Sequence, residues 1–330
     1  MLDVRRTVSA MAALCASACL LPACAPDEPP AEVASQEQEL VVPRAWVQSL
    51  TTVTPDGDDA DVYVPMPPTA WRSFFVDAFP VVVVLQGGLV DKAQYGAFGR
   101  ELARHGFTVV VPNHLRAFGP GAPPVPFTEG SVIADALAAA QALDADPTSD
   151  GYEIIDGDRM AITGHSLGGV VGLSVIGQSC PPPLCVLPAP LPAEVEAAAF
   201  YGTTMVQPPP QSGILDVNTG GIEVALLRGS EDGNALPTDV GATYDTLDDG
   251  RALITIVGAN HFGITDDAAP ATAQPDPNPS TISQPKAQRN IARWTALWLR
   301  SELNHELWAG WWLYEFGGSL GGDVVVDAIE

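Results

Sequence analysis

The 330-residue sequence predicts an α/β fold, a doubly wound and mostly parallel sheet with helices on both faces. Three observations predict it. Strand-like and helix-like stretches alternate between residues 80 and 176, the grammar of βαβ units. Two strand-like stretches, Pro80-Val81-Val82-Val83-Val84-Leu85 and Phe107-Thr108-Val109-Val110-Val111, are almost continuously apolar, as strands covered on both faces must be. A third, Arg159-Met160-Ala161-Ile162-Thr163, runs through Gly164-His165-Ser166-Leu167-Gly168-Gly169 into apolar Val170-Val171-Gly172-Leu173-Ser174-Val175-Ile176, a strand, a sharp turn and a helix.

The chain opens on a targeting segment, residues 1–24. Arg5 and Arg6 form its basic start, and the apolar run from 8 to 21 is too short to span a bilayer. Ala23-Cys24-Ala25 fits a small-x-small cleavage site, but Pro26 would follow the cut; Leu21-Pro22-Ala23-Cys24 fits a bacterial lipobox. The preferred reading is a lipoprotein signal, which makes Cys24 the lipidated N-terminus and its lipid the membrane attachment; simple secretion is the alternative. Residues 25–40 are rich in Pro, Glu, Ala and Gln and have the composition of a flexible tether. Residues 41–330 are expected to form one domain.

Within that domain, residues 45–53 and 61–64 are strand-like and are separated by the turn Thr54-Pro55-Asp56-Gly57-Asp58-Asp59. After the strand at 80–85 comes Gln86-Gly87-Gly88-Leu89, then a helical stretch from 91 to 105 that stops at Gly106. Pro112 ends the next strand. Residues 117–127 contain four prolines and are expected to be a loop; residues 131–143 are strongly helical. Beyond the turn at Ser166, strands are predicted at 195–201, 222–227 and 251–256. An amphipathic helix over 286–303 carries Ile291, Trp294, Leu297 and Trp298 on one stripe. The aromatic segment 308–316 is expected to pack on the body.

Composition narrows the function. A formal net charge of −25 with only 15 Lys and Arg excludes nucleic acid as a partner, since phosphate binding relies on clustered cations. Cys180 and Cys185 are expected to form a small disulfide in an oxidising compartment. No second pair or nearby histidine completes a metal site around them.

The turn Gly164-His165-Ser166-Leu167-Gly168 has the G-x-S-x-G form of a nucleophile elbow, which lifts a serine hydroxyl clear of the sheet. A serine attacks poorly unless a histidine takes its proton and an acid holds that histidine. In open α/β sheets the working residues follow the carboxyl ends of strands. Among five histidines, His261 alone follows a strand in a short Gly- and Asn-bearing loop downstream of Ser166. The acid should leave the preceding strand, where Leu227-Arg228-Gly229-Ser230-Glu231-Asp232-Gly233 offers Asp232, the preferred choice, and Glu231. Asp216, Asp239 and Asp248 lie in worse positions. Two backbone N–H groups should stabilise an oxyanion: that of Leu167, and that of Gly88 with Leu89 as runner-up. Tyr95, Phe98, Phe118, Phe262 and Trp294 are candidates for an acyl or aryl pocket, with core packing the preferred reading for most of them.

Together these residues resemble the α/β-hydrolase superfamily over about residues 41–303. Residues 80–88, 106–113, 131–143 and 164–169 are most similar to the branch that contains dienelactone-hydrolase-like, chlorophyllase-like and cutinase- or polyester-hydrolase-like enzymes. The resemblance implies a serine carboxylic-ester hydrolase that acts through an acyl-enzyme on a small-molecule or polymeric ester, without metal or organic cofactor. Two departures stand out. Many relatives carry His-Gly where this chain has Gln86-Gly87, and the serine at 166 argues against dienelactone chemistry itself. An acyltransferase with the same three residues is the enzymatic alternative; a non-catalytic surface binding lipoprotein is the other, against which the intact Ser, His and Asp argue.

Overall fold

The apolar runs form the middle of a nine-stranded sheet in the computed structural model, which describes residues 46–68, 78–179, 188–207, 212–316 and 322–329. The targeting segment, Cys24, the tether and the Cys180 to Cys185 pairing lie outside the described residues.

In chain order the elements are β1 (Val47–Val53), β2 (Asp59–Pro65), β3 (Phe79–Leu85), a 3-10 turn (Lys92–Tyr95) leading into α1 (Gly96–Arg104), and β4 (Thr108–Pro112). The short strands β5 (Leu115–Arg116) and β6 (Val125–Pro126) follow, then α2 (Ser131–Ala145), β7 (Ile155–His165) and α3 (Leu167–Ile176). The second half holds β8 (Val195–Tyr201), β9 (Glu223–Gly229), α4 (Pro237–Tyr244), β10 (Arg251–Ile256), α5 (Gln284–Glu302), α6 (Leu307–Trp311) and β11 (Val324–Ile329).

The sheet order is β1-β2-β4-β3-β7-β8-β9-β10-β11. Its central strands pair in parallel, whereas β1 with β2, β2 with β4, and β10 with β11 are antiparallel. Every residue of β3 is buried, as its unbroken apolar run requires. Its side chains alternate between two cores. Val82 and Val84 pack with Phe98 and Leu102 of α1 and Ile291 and Trp298 of α5, while Val81, Val83 and Leu85 pack with Ile133 of α2 and Leu173 of α3. Helices therefore cover both faces of a mostly parallel sheet.

The chain passes from β3 to β4 on one side, then returns to β7 on the other side of β3. That reversal splays apart the loops leaving β3 and β7, and a crevice forms at their carboxyl ends. Gly88 and Ser166 sit on those two loops.

Three features differ from the expectation. Residues 125–126 pair antiparallel with residues 115–116, so the proline-rich stretch is the tip of a small hairpin. The helix α4, with Pro at its start and Val240 and Tyr244 buried, has no counterpart among the predicted elements, nor has β11. In the aromatic segment, Ala309 and Leu313 are buried, but Trp308 and Trp311 remain exposed. Tyr95, Phe98 and Trp294 belong to the core, in line with the preferred reading of most of these aromatics. No described helix is long and apolar enough to cross a membrane.

Candidate active site

Ser166 stands between β7 and α3 with φ 53° and ψ −117°. Such a conformation is rare for a residue with a side chain, costs on the order of 1–3 kcal/mol, and persists only where its surroundings impose it. Those surroundings are visible. The Ser166 N–H donates to the Tyr201 carbonyl at 2.9 Å, and the Ser166 carbonyl accepts from Gly169 and Val170 of α3 at 3.0 and 3.2 Å. A Cβ at Gly164 would lie 2.8 Å from the Gly168 backbone, and one at Gly168 only 2.2 Å from the Leu85 carbonyl oxygen. The strand, turn and helix can close around Ser166 only with glycine at both places.

His261 enters from the loop after β10 and meets the serine. Its Nε2 is 2.9 Å from the Ser166 Oγ, and its Nδ1 is 2.9 Å from Asp232 Oδ2 and 3.1 Å from Asp232 Oδ1. A carboxylate only accepts, so Nδ1 carries a proton toward Asp232 and Nε2 is left to accept from the serine hydroxyl. Asp232 is buried, and its Oδ1 also accepts from the Asn234 and Ala235 N–H groups at 2.9 and 2.7 Å. Of the two neighbouring carboxylates, Asp232 faces the imidazole; Glu231 instead accepts from the Ser230 hydroxyl at 3.0 Å. Asp248 caps Thr219, and Asp239 lies in α4.

Leu167 is the first residue of α3, where a helix leaves N–H groups without intrahelical partners. Gly88 lies across from it, so close that a Cβ there would be 3.4 Å from the Leu167 side chain. Neither N–H has an acceptor among the described residues, and both residues line the cleft beside Ser166. Leu89 is ruled out as a donor. Its N–H already donates to the Pro126 carbonyl at 2.8 Å, and it is held at φ 62°. Gln86 is buried and staples the loop: its Nε2 donates to the Val90 and His114 carbonyls, both at 3.2 Å, and its Oε1 accepts from the His114 N–H at 2.8 Å.

Three supports escaped sequence reasoning. The first is a chain beneath the site. The His165 Nε2 donates to the His261 carbonyl at 2.9 Å, the Tyr95 hydroxyl donates to His165 Nδ1 at 3.0 Å, and the Gly87 N–H donates to the Tyr95 oxygen at 2.8 Å. Burial, and secondarily the nearby His261, holds the His165 imidazole far below its ordinary pKa, so the ring is neutral and the carbonyl fixes its tautomer. The Gly87 loop and the His261 loop are thus joined through one side-chain pair. The second support is Asp276, which accepts from the His261 N–H at 2.7 Å, the Gly233 N–H at 3.1 Å and the Asn278 N–H at 2.8 Å. Asp276-Pro277-Asn278 carries an Asx-turn signal, but spacing alone does not say which loops it will tie. The third is Gly202, at φ 60°, where a Cβ would press on Asp232 and His261 at 3.0 and 3.1 Å.

His165 and His105 are both buried uncharged, and burial is the main cause in each; for His105, with Arg300 and Arg104 adding to it, the pKa falls to about 3. Below the unfolded value near 6.5 the unfolded chain binds protons that the native chain does not. Stability is therefore complete above that pH and declines below it, by up to about 1.4 kcal/mol per pH unit for each ring. Urea unfolding is expected to give a free energy about 1–3 kcal/mol lower at pH 5.5 than at pH 7.5. Equal values at the two pH points would contradict the neutral assignment.

No protein-family description matches the chain, and no curated protein sequence matches it either. Among the described residues no cluster of His, Cys, Asp or Glu has the arrangement of a metal site.

Proposed function

We propose that the chain is a serine carboxylic-ester hydrolase of the α/β-hydrolase type. The observation that carries the reading is the unbroken line from Asp232 through His261 to Ser166, with both hydrogen-bond distances at 2.9 Å. Ser166 Oγ attacks the ester carbonyl carbon as its proton passes to His261 Nε2. Asp232 stabilises the imidazolium, and the Leu167 and Gly88 N–H groups receive the oxyanion. Collapse of the tetrahedral adduct breaks the bond to the alcohol, which leaves with the proton from His261. Water then repeats the sequence on the acyl-Ser166 and releases the acid. Its N-terminal sequence supports export and lipid attachment at Cys24.

A common acyl-enzyme has a kinetic signature. With methanol present, phenyl and p-nitrophenyl butyrate are expected to give the same ratio of butyrate to methyl butyrate, because both products arise from one intermediate after the alcohol has left. Butyrate should dominate. A ratio that changes with the leaving group would refute the acyl-enzyme, and methyl butyrate as the main product would turn the reading toward acyl transfer.

A further inference from the structure

The cleft at Ser166 has a volume of about 580 Å³, within the range of small-molecule sites. Its walls are uncharged. Leu89, Val90, Phe118, Phe127, Leu167 and Phe262 supply the apolar surface. Apart from Ser166 and the two histidines, its polar side chains are the neutral Asn234 and Gln274, and no Lys, Arg, Asp or Glu is among the described lining residues.

The cation that borders this wall is committed elsewhere. The Arg116 guanidinium stacks on the Phe118 and Phe127 rings, 4.9 and 5.4 Å from their centroids, and pairs with Glu129 at 3.0 Å. A carboxylate carried into the cleft would lose water and meet no compensating charge. The chain's net charge of −25 adds a long-range repulsion of anions.

We propose that this cleft accepts esters with a neutral, apolar acyl group and discriminates against esters that carry a carboxylate on that group. The proposal rests on the serine-hydrolase reading above. Each methylene buried against the apolar wall should raise kcat/KM about fourfold.

The test compares p-nitrophenyl acetate, propionate, butyrate and pentanoate with p-nitrophenyl monoglutarate, which is the pentanoate ester with a terminal carboxylate. Active Ser166 is counted separately by titration with a fluorophosphonate. Expected are the stepwise rise along the neutral series and a kcat/KM for the glutarate ester at least about 100-fold below that for pentanoate. Gln274 is exposed at the rim, so Gln274→Lys should fold, and it is expected to narrow that gap about tenfold or more by supplying the missing cation. Equal rates for the matched pair in fully titrated protein would overturn the cleft proposal while leaving the esterase reading intact. Failure to titrate any serine in folded protein would overturn both.

Discussion

Asp232→Asn is expected to leave the protein folded and to lower kcat for ester hydrolysis by roughly 10⁴-fold. The reason lies in how the carboxylate is held. One of its oxygens accepts from the Asn234 and Ala235 N–H groups, so the asparagine must turn its own carbonyl oxygen that way. Its NH₂ then faces His261 Nδ1. Two donors cannot share a hydrogen bond, so the imidazole moves its proton to Nε2 and presents an N–H to Ser166 where the mechanism needs a bare nitrogen. Glu231→Gln should stay within about threefold of wild type, since exposed or half-exposed carboxylates away from the reacting atoms contribute little. Steady-state kinetics of the two variants side by side checks the assignment. A larger loss in Glu231→Gln than in Asp232→Asn would reverse it.

Gly168→Ala is expected to destabilise the fold by about 3–5 kcal/mol. The new Cβ would sit 2.2 Å from the Leu85 carbonyl oxygen and 2.9 Å from that of Gln86. Both obstacles are backbone, and neither can swing aside as a side-chain tip does. Relief requires α3 to move away from the end of β3, which would also pull the Gln86 to Gly88 loop out of register with Ser166. Activity should therefore fall even in whatever fraction stays folded. Gly322→Ala meets open space and should change stability by less than about 0.5 kcal/mol. Urea unfolding of the two variants measures the contrast; a Gly168→Ala protein as stable as wild type would show that β7, Ser166 and α3 do not close this tightly on the end of β3.

The parallel strands were legible because β3 and β4 are long β-branched runs whose burial on two faces leaves little other use for them. Ser166, Asp232 and His261 were legible for a related reason: each lies in the loop at the carboxyl end of its own strand, the end at which such sheets gather their ligands. The G-x-x-D spacing favoured Asp232 over Glu231 without separating them; the structure turns Asp232 to His261, while Glu231 accepts from Ser230. The helix α4 was hidden by its composition. Pro237, Gly241 and two threonines are poor helix formers, and the segment is helical because Val240 and Tyr244 are buried. The strand β11 is an edge strand with only every other residue buried in its first half, and it owes its register to pairing with β10 from a distant part of the chain. Asp276 and Tyr95 illustrate the same limit inside the site. Asp276 reaches His261 across 15 residues and Tyr95 reaches His165 across 70, through hydrogen bonds that no local pattern encodes.

The central claim is that Ser166, activated by His261, forms the covalent bond to substrate. The most direct measurement is intact-mass and peptide mass spectrometry of the protein after exposure to a fluorophosphonate, with Ser166→Ala and His261→Ala in parallel. The expected result is one adduct per chain on the peptide containing Ser166, none in Ser166→Ala, and labelling of His261→Ala slowed by at least about 10³-fold. A folded wild-type protein that takes up no label, or takes it up on another serine, would contradict the account.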